Sequence, residues 1–180
     1  MLLTTPRLTV RRFREEDAAA LAAYRSEPDV ARFQGWTAPV APEAAWAWVR
    51  DFAAGSLERP GWFQCAVELT AERRLIGDIG VRMHENLRQA ALGFTLAGAA
   101  QGRGYATEAV RAVLDHLFEA RGLHRVSAEC DARNARSAAL LERVGFTREG
   151  HLRQATWIKG EWTDDLLYGL LAADHRPKDH

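Results

Sequence analysis

Residues 99–109 read AAQGRGYATEA. Two glycines flank Arg103 and give way, without a proline, to a run in which Ala106, Ala109, Val110, Val113, Leu114, Leu117 and Phe118 recur at steps of three and one. That spacing lays one apolar stripe along a helix, and Gly122 is placed to stop it. Glycine is a poor helix former, so Gly102 and Gly104 at the helix start ask for a reason. The first N–H groups of a helix have no partner inside it, and the aligned peptide dipoles put partial positive charge there. With no side chain at 102 or 104, a phosphate can approach those N–H groups, and Arg103 adds a formal charge beside them. A plain turn is the alternative reading. A dinucleotide fingerprint needs a third glycine where Thr107 stands, and a nucleotide-triphosphatase loop needs Gly-Lys-Ser/Thr, which is absent.

Working outward, WFQCAVEL (62–69), LIGDIGVRM (75–83) and QAALGFTLA (89–97) are short apolar runs bounded by turn residues, which predicts three successive strands. HRVSAECD (124–131) alternates Val126, Ala128 and Cys130 against Ser127 and Glu129, a strand pattern. NARSAALLERVGF (134–146) then reads as a helix with Asn134 as N-cap and Gly145 as its stop. Toward the N-terminus, RLTVRRF (7–13) alternates as a strand. REEDAAALAAYRSE (14–27) carries acids in its first turn and is ended by Pro28. A second helix spans Pro42 to Ala54, closed by Gly55. Trp157 to Leu171 predicts a final hairpin turning near Lys159-Gly160, and the polar tail from Asp174 is expected to be loose. The order is strand, two helices, three strands, helix, strand, helix, two strands. The unit 89–130 requires a parallel pair with a right-handed crossover, and the run of strands before it suggests antiparallel pairing. The expectation is an α/β (α+β) mixed sheet with helices on its faces, one domain over 1–174 and a tail over 175–180.

The totals exclude several classes. Lys+Arg and Asp+Glu each number 24, so no overall basic field draws the chain to nucleic acid or anionic lipid. Cys65 and Cys130 do not make a disulfide framework and read as buried free thiols of a reducing compartment. No apolar run approaches the ~20 residues a bilayer span needs, and the N-terminus lacks a basic region followed by a hydrophobic one. A cytoplasmic protein is expected. No His or Cys pair has metal-ligand spacing, so no metal is expected.

Gln101, Gly104 and Ala106 fit the Q/R-x-x-G-x-G/A motif with which GNAT-type N-acetyltransferases grip the pyrophosphate of acetyl-CoA. The resemblance extends over nearly the whole chain. LTTPRLTVRRF (3–13) resembles the opening strand of the branch that contains the ribosomal-protein N-terminal alanine acetyltransferases. IGDIGV (76–81), LGFTLAGAAQGRGYATEAV (92–110), GLHRVSAECDARNARSAALLERVGFTREG (122–150) and GEWTDDLLYGLL (160–171) resemble its later blocks in order. One short motif is a weak signal; five in register are a strong one. The resemblance implies a GNAT-like mixed, mostly antiparallel sheet of about seven strands flanked by about four helices, with a splayed parallel pair at the cofactor site.

It also implies a chemistry: transfer of acetyl from acetyl-CoA to a primary amine, a protein N-terminus or a small molecule, by direct attack. Such a reaction needs a grip on CoA, a donor for the oxyanion, a base for the ammonium and an acid for the sulfur. By resemblance, the grip falls on the backbone of Gln101, Gly102, Arg103, Gly104, Tyr105 and Ala106. The backbone of Phe94, Thr95 and Leu96 lies against the cofactor arm, with one N–H facing the thioester oxygen. Asn134 matches an asparagine that reaches the arm, while helix capping remains its other role. Ser137 stands where this branch has a serine suspected of protonating the departing thiolate; an ordinary first-turn serine is the other reading. The usual base is missing. Relatives read A-E-I-G-Y where this chain reads AALGF, with Ala91 and Phe94 at the acidic and tyrosine places. His84, Glu85, Glu129, Asp131 and Asp164 are the remaining candidates, Asp164 matching a recurrent D-x-x-x-Y pair with Tyr168, and a chain of waters is another. Trp36, Trp46, Trp48 and Trp62 suggest either core packing or an aromatic wall for the acceptor. A CoA-binding module without catalysis is the second reading, and a homodimer is expected by family analogy alone.

Overall fold

The stripe that follows Gly104 forms helix α4 (Tyr105–Asp115), which runs on through a π turn at His116–Ala120. Strand β5 (Gln89–Leu96) leads into the glycine-rich loop, and strand β6 (Arg125–Asp131) follows the helix, pairing parallel with β5. This computed structural model describes residues 2–175. The remaining strands are β1 (Leu3–Thr4), β2 (Leu8–Arg12), β3 (Gly61–Leu69), β4 (Arg74–Met83), β7 (Thr147–Ile158) and β8 (Glu161–Leu171), all joined antiparallel. The sheet order is β1-β2-β3-β4-β5-β6-β8-β7. One face packs α4 and α5 (Ala135–Arg143) through Val110, Val113, Leu114 and Leu141 onto Cys65, Ile79, Leu92 and Val126. On the other face, α1 (Ala18–Arg25), α2 (Pro28–Ala31) and α3 (Pro42–Ala54) bury Leu21, Tyr24, Val30, Ala45 and Val49 over Ala66 and Leu75.

Four details depart from the expectation. The sheet has eight strands rather than about seven, because Leu3–Thr4 adds a two-residue strand against Thr9–Val10, too short to show alternation. Five α-helices are described rather than about four: α1 ends at Arg25, and Pro28 opens α2, taking the first helical position where its missing N–H costs nothing. The last hairpin turns at Lys159-Gly160 as expected, both residues at positive φ, but β7 begins at Thr147, ten residues before Trp157. It is an edge strand exposed on both faces and bulged between Leu152 and Thr156, so its sequence lacks alternation. Finally, His175 is docked rather than loose. Its ring stacks on Phe118 at 4.8 Å and bonds Asp115 at 2.8 Å. The rest of the predicted tail, 176–180, lies outside the described residues.

A buried polar cluster ties the α1 layer to the sheet. Asp78, 1 % exposed, accepts from the Tyr24 hydroxyl, from Arg25 Nη2 at 2.9 Å and from Gln64 Nε2. Burial, with the Asp78 charge beside it, holds the Tyr24 hydroxyl well above its ordinary pKa, so it stays a donor. The Arg25 guanidinium lies 4.3 Å from the Trp36 ring centroid and 5.3 Å from that of Trp48. Removing one partner of a buried pair strands the other charge, at about 3–5 kcal/mol. Asp78→Ala is therefore expected to lower the melting temperature by roughly 10 °C, on a scale of about 2–4 °C per kcal/mol at this chain length. Thermal denaturation followed by circular dichroism checks it.

Candidate active site

Gly102 and Gly104 both lie in the left-handed region, at φ +75° and +79°, and Gly104 is the N-cap of α4. A Cβ at Gly102 would meet nothing within 4 Å, and one at Gly104 only Arg7 Nη2 at 3.4 Å. The glycines therefore serve backbone conformation and access rather than packing. No hydrogen bond among the described residues takes up the N–H groups of Gly102 through Thr107. Gln101 fastens the loop to the strand before it, its Nε2 donating to Leu96 O at 3.0 Å while its Oε1 accepts from Arg136 at 3.2 Å. The Arg103 carbonyl accepts from Arg7 Nη1 at 3.0 Å, which leaves the exposed Arg103 side chain to solvent. Arg7 stacks 4.5 Å over Tyr105 and bonds Glu108 at 2.6 Å. Despite partial burial, bonds from Thr5 and Arg7 hold the Glu108 carboxyl below its ordinary range. The first turn of α4, Tyr105 and Ala106 included, is thus braced from the β1–β2 side.

The loop faces a split in the sheet. β5 and β6 pair only over Gln89–Leu92 and Arg125–Ala128. Beyond that point β5 runs on to Leu96, while β6 runs on to Asp131 and pairs only with β8. Ala97 donates its N–H to Ile76 on β4, so by the alternation of a ladder Phe94 and Leu96 turn their N–H groups into the split. Thr95 points its side chain to the α1 face, where Oγ1 lies 3.4 Å from Gln34 Nε2. At the end of β6, Asn134 caps α5, its Oδ1 accepting the Ser137 N–H at 3.1 Å. Ser137 is half-buried, and no bond to its hydroxyl is described.

On the α1 face, the β5–β6 end of the sheet is left partly bare: Gly93 and Ala91 are half-buried and Glu129 is exposed, while Gly80 is buried beneath the Gln64 and Trp62 side chains. Register carries one row from Gln64 through Gly80 to Gly93, and the next residue across the split is Glu129. The flanking rows are Trp62–Arg82–Ala91–Ser127 and Ala66–Asp78–Thr95. Two glycines make the floor, and a Cβ at Gly93 would meet nothing within 4 Å. The tip of the β7–β8 hairpin closes one side, Lys159 Nζ donating to Ala31 O on α2.

Residues 7–147 match the acetyltransferase (GNAT) domain family. The chain belongs to the GNAT acetyltransferase family. It is 33% identical over 176 residues to an uncharacterized N-acetyltransferase, p20, of Bacillus licheniformis, covering 96% of this chain and 97% of that one. It is 29% identical over 185 residues to the [ribosomal protein uS5]-alanine N-acetyltransferase of Escherichia coli, with coverage of 97% and 93%. Among solved structures, a GNAT-family acetyltransferase of Bacillus anthracis superposes with a TM-score of 0.88 at 26% identity, covering 96% of this chain and 99% of that one. The protein is thus an acetyl-CoA-dependent N-acetyltransferase. Its residues fit that cofactor, since unpartnered N–H groups on an open glycine loop suit a diphosphate, and the split offers strand edges to an extended arm.

Within this GNAT acetyltransferase the candidate bases separate. Asp164 is engaged in the hairpin: it accepts from Gln154 N–H and bonds His151 Nε2, both at 2.8 Å, which holds its carboxyl below the ordinary range. It does not meet Tyr168, whose hydroxyl donates to Glu142 at 3.2 Å. Arg133 clamps Asp131 at 2.7 Å and keeps its carboxyl low as well. The strand alternation that buries Ala128 on the α4 face turns Glu129 to the bare face, where it is exposed with no bond among the described residues. His84 follows β4, its Nε2 buried with no described partner, and Glu85 lies in the turn beyond. Trp36 donates Nε1 to Arg25 O at 2.9 Å and so fixes the loop after α2, while Trp46 and Trp62 are largely exposed. Tyr24, Arg25, Gln34, Gln64 and Asp78 were not legible as site residues, since only the register brings them to one face. Asp78 alone left a trace, an acid inside the apolar run LIGDIGV (75–81).

Proposed function

We propose that this enzyme transfers the acetyl group to a primary amine, a protein N-terminus or a small molecule, by direct attack in a ternary complex. One observation carries the reading: the β5–β6 split opens on the α4 side toward the unpartnered N–H groups and on the other side toward a glycine floor flanked by Glu129. Backbone N–H groups of Gly102 through Ala106, with Arg103, hold the diphosphate, and Gln101 keeps the loop in register with β5. The backbone of Phe94, Thr95 and Leu96 lines the arm, and an N–H of Phe94 or Leu96 faces the thioester oxygen. Asn134 orients the start of α5 and reaches the arm. Acetyl-CoA supplies the activated acyl group; the protein supplies geometry and proton transfer. Glu129 takes the proton of the incoming ammonium, directly or through water, a role this reading gives it in preference to Asp164 because its carboxylate is free. The cytoplasm is the compartment that fits two unpaired thiols, Cys65 and Cys130, which burial pushes up to about 12 and about 11. A homodimer belongs to this reading by family analogy.

Incubation with acetyl-CoA and a panel of peptides and small amines, read by thiol release and product mass, tests the proposal. Acetylation of at least one amine is expected; cofactor binding with no CoA release on any amine contradicts it. Ser137 donates to the departing sulfur. Ser137→Ala should lower kcat roughly tenfold, at the weak end of acid catalysis, with acetyl-CoA affinity unchanged by calorimetry. Full activity in that variant removes Ser137 from the role.

A further inference from the structure

We infer that Gln64 holds a second N–H donor of the acceptor, beside the amine that is acetylated, and so selects acceptors in which such a donor follows closely, as the first peptide N–H does at a protein N-terminus. This rests on the bare α1 face being the acceptor side. The orientation of Gln64 is chemically compelled. Asp78 is ion-paired to Arg25 and, as a carboxylate, can only accept. Gln64 must turn Nε2 toward it and its carbonyl Oε1 away. Away means over the floor: a Cβ built on Gly80 would lie 2.7 Å from Gln64 Oε1. No donor among the described residues meets that oxygen. Gly80 is the register partner of Gly93, where β5 leaves β6, and Glu129 stands across the split. The Gln64 carbonyl, over Gly80 on β4, and the strand that carries Glu129 are two strand spacings apart, about 10 Å and more where β5 and β6 part. An extended acceptor with its amine toward Glu129 and its next N–H toward Gln64 can bridge that gap. A monoamine leaves the carbonyl unmet.

The test compares a peptide with its analogue in which an ester oxygen replaces the first peptide N–H, using wild type, Gln64→Leu and Gly80→Ala. The last adds a methyl where Oε1 now sits, displacing a flexible side-chain end. Wild type should favour the peptide in kcat/KM by about tenfold, the scale of one lost hydrogen bond with an unmet partner. Gln64→Leu should lower kcat/KM for the peptide about tenfold, leave the ester within twofold, and leave acetyl-CoA affinity unchanged; Gly80→Ala should shift the preference in the same direction. Equal rates on both substrates in wild type, or a preference that survives Gln64→Leu, overturn the inference. Acetylation of a simple monoamine with neither peptide accepted overturns it too while leaving the proposed transfer intact; no acetylation of any amine overturns both.

Discussion

Glu129→Gln is expected to lower kcat about a hundredfold, the low end of what a positioned base contributes, with the acetyl-CoA dissociation constant within twofold of wild type. The substitution keeps the size of the side chain and removes its capacity to accept a proton. Because Glu129 is exposed and has no described partner, the change strands no buried group and should leave the melting temperature within a few degrees. Stopped-assay kinetics beside calorimetry separate the two readouts. The same substitution at Asp164 should leave kcat nearly unchanged, since that carboxylate is occupied by Gln154 and His151. If Asp164→Asn costs activity and Glu129→Gln does not, the base has been assigned to the wrong side of the sheet.

Gly104→Val is expected to raise the acetyl-CoA dissociation constant at least tenfold. At φ +79° a β-branched residue is strained, and relaxing that strain turns the first N–H groups of α4 from their common direction. Space is not the issue, because only Arg7 Nη2 stands near the site of a Cβ. Tenfold corresponds to about 1.4 kcal/mol, less than the strain of such a residue together with a lost charge-assisted bond. Gly104→Ala shares the φ problem without the branch and should lie between. An unchanged dissociation constant in a folded Val variant means that the diphosphate does not sit on these N–H groups.

What the sequence disclosed, and what it withheld, follow from how far apart the interacting residues lie along the chain. The loop, α4 and the β5-α4-β6 crossover were legible because glycines, a stripe and a strand sit within forty residues of one another. Asn134 as N-cap was legible for the same local reason, and Asn134 Oδ1 does accept the Ser137 N–H. Most of β7 was missed, because a bulged edge strand exposed on both faces has no alternation to read. The polar cluster was missed entirely. Asp78 meets Tyr24 across 54 positions, and a charged residue inside an apolar strand announces a partner without naming it. Among the base candidates, sequence offered His84, Glu85, Glu129, Asp131 and Asp164, and favoured Asp164 through its D-x-x-x-Y spacing to Tyr168. Their bonds separated three of them: Asp131, on the same face of β6 as Glu129, meets Arg133, Asp164 meets His151, and Glu129 meets no partner among the described residues. The face of a strand is readable from its pattern, but whether a carboxylate on it is already engaged is not.

A crystal structure of the enzyme with CoA should show the diphosphate on the N–H groups of Gly102 through Ala106, with the arm between β5 and β6 and its sulfur end near Ser137. A diphosphate bound elsewhere, or an arm that bypasses the split, would contradict this placement.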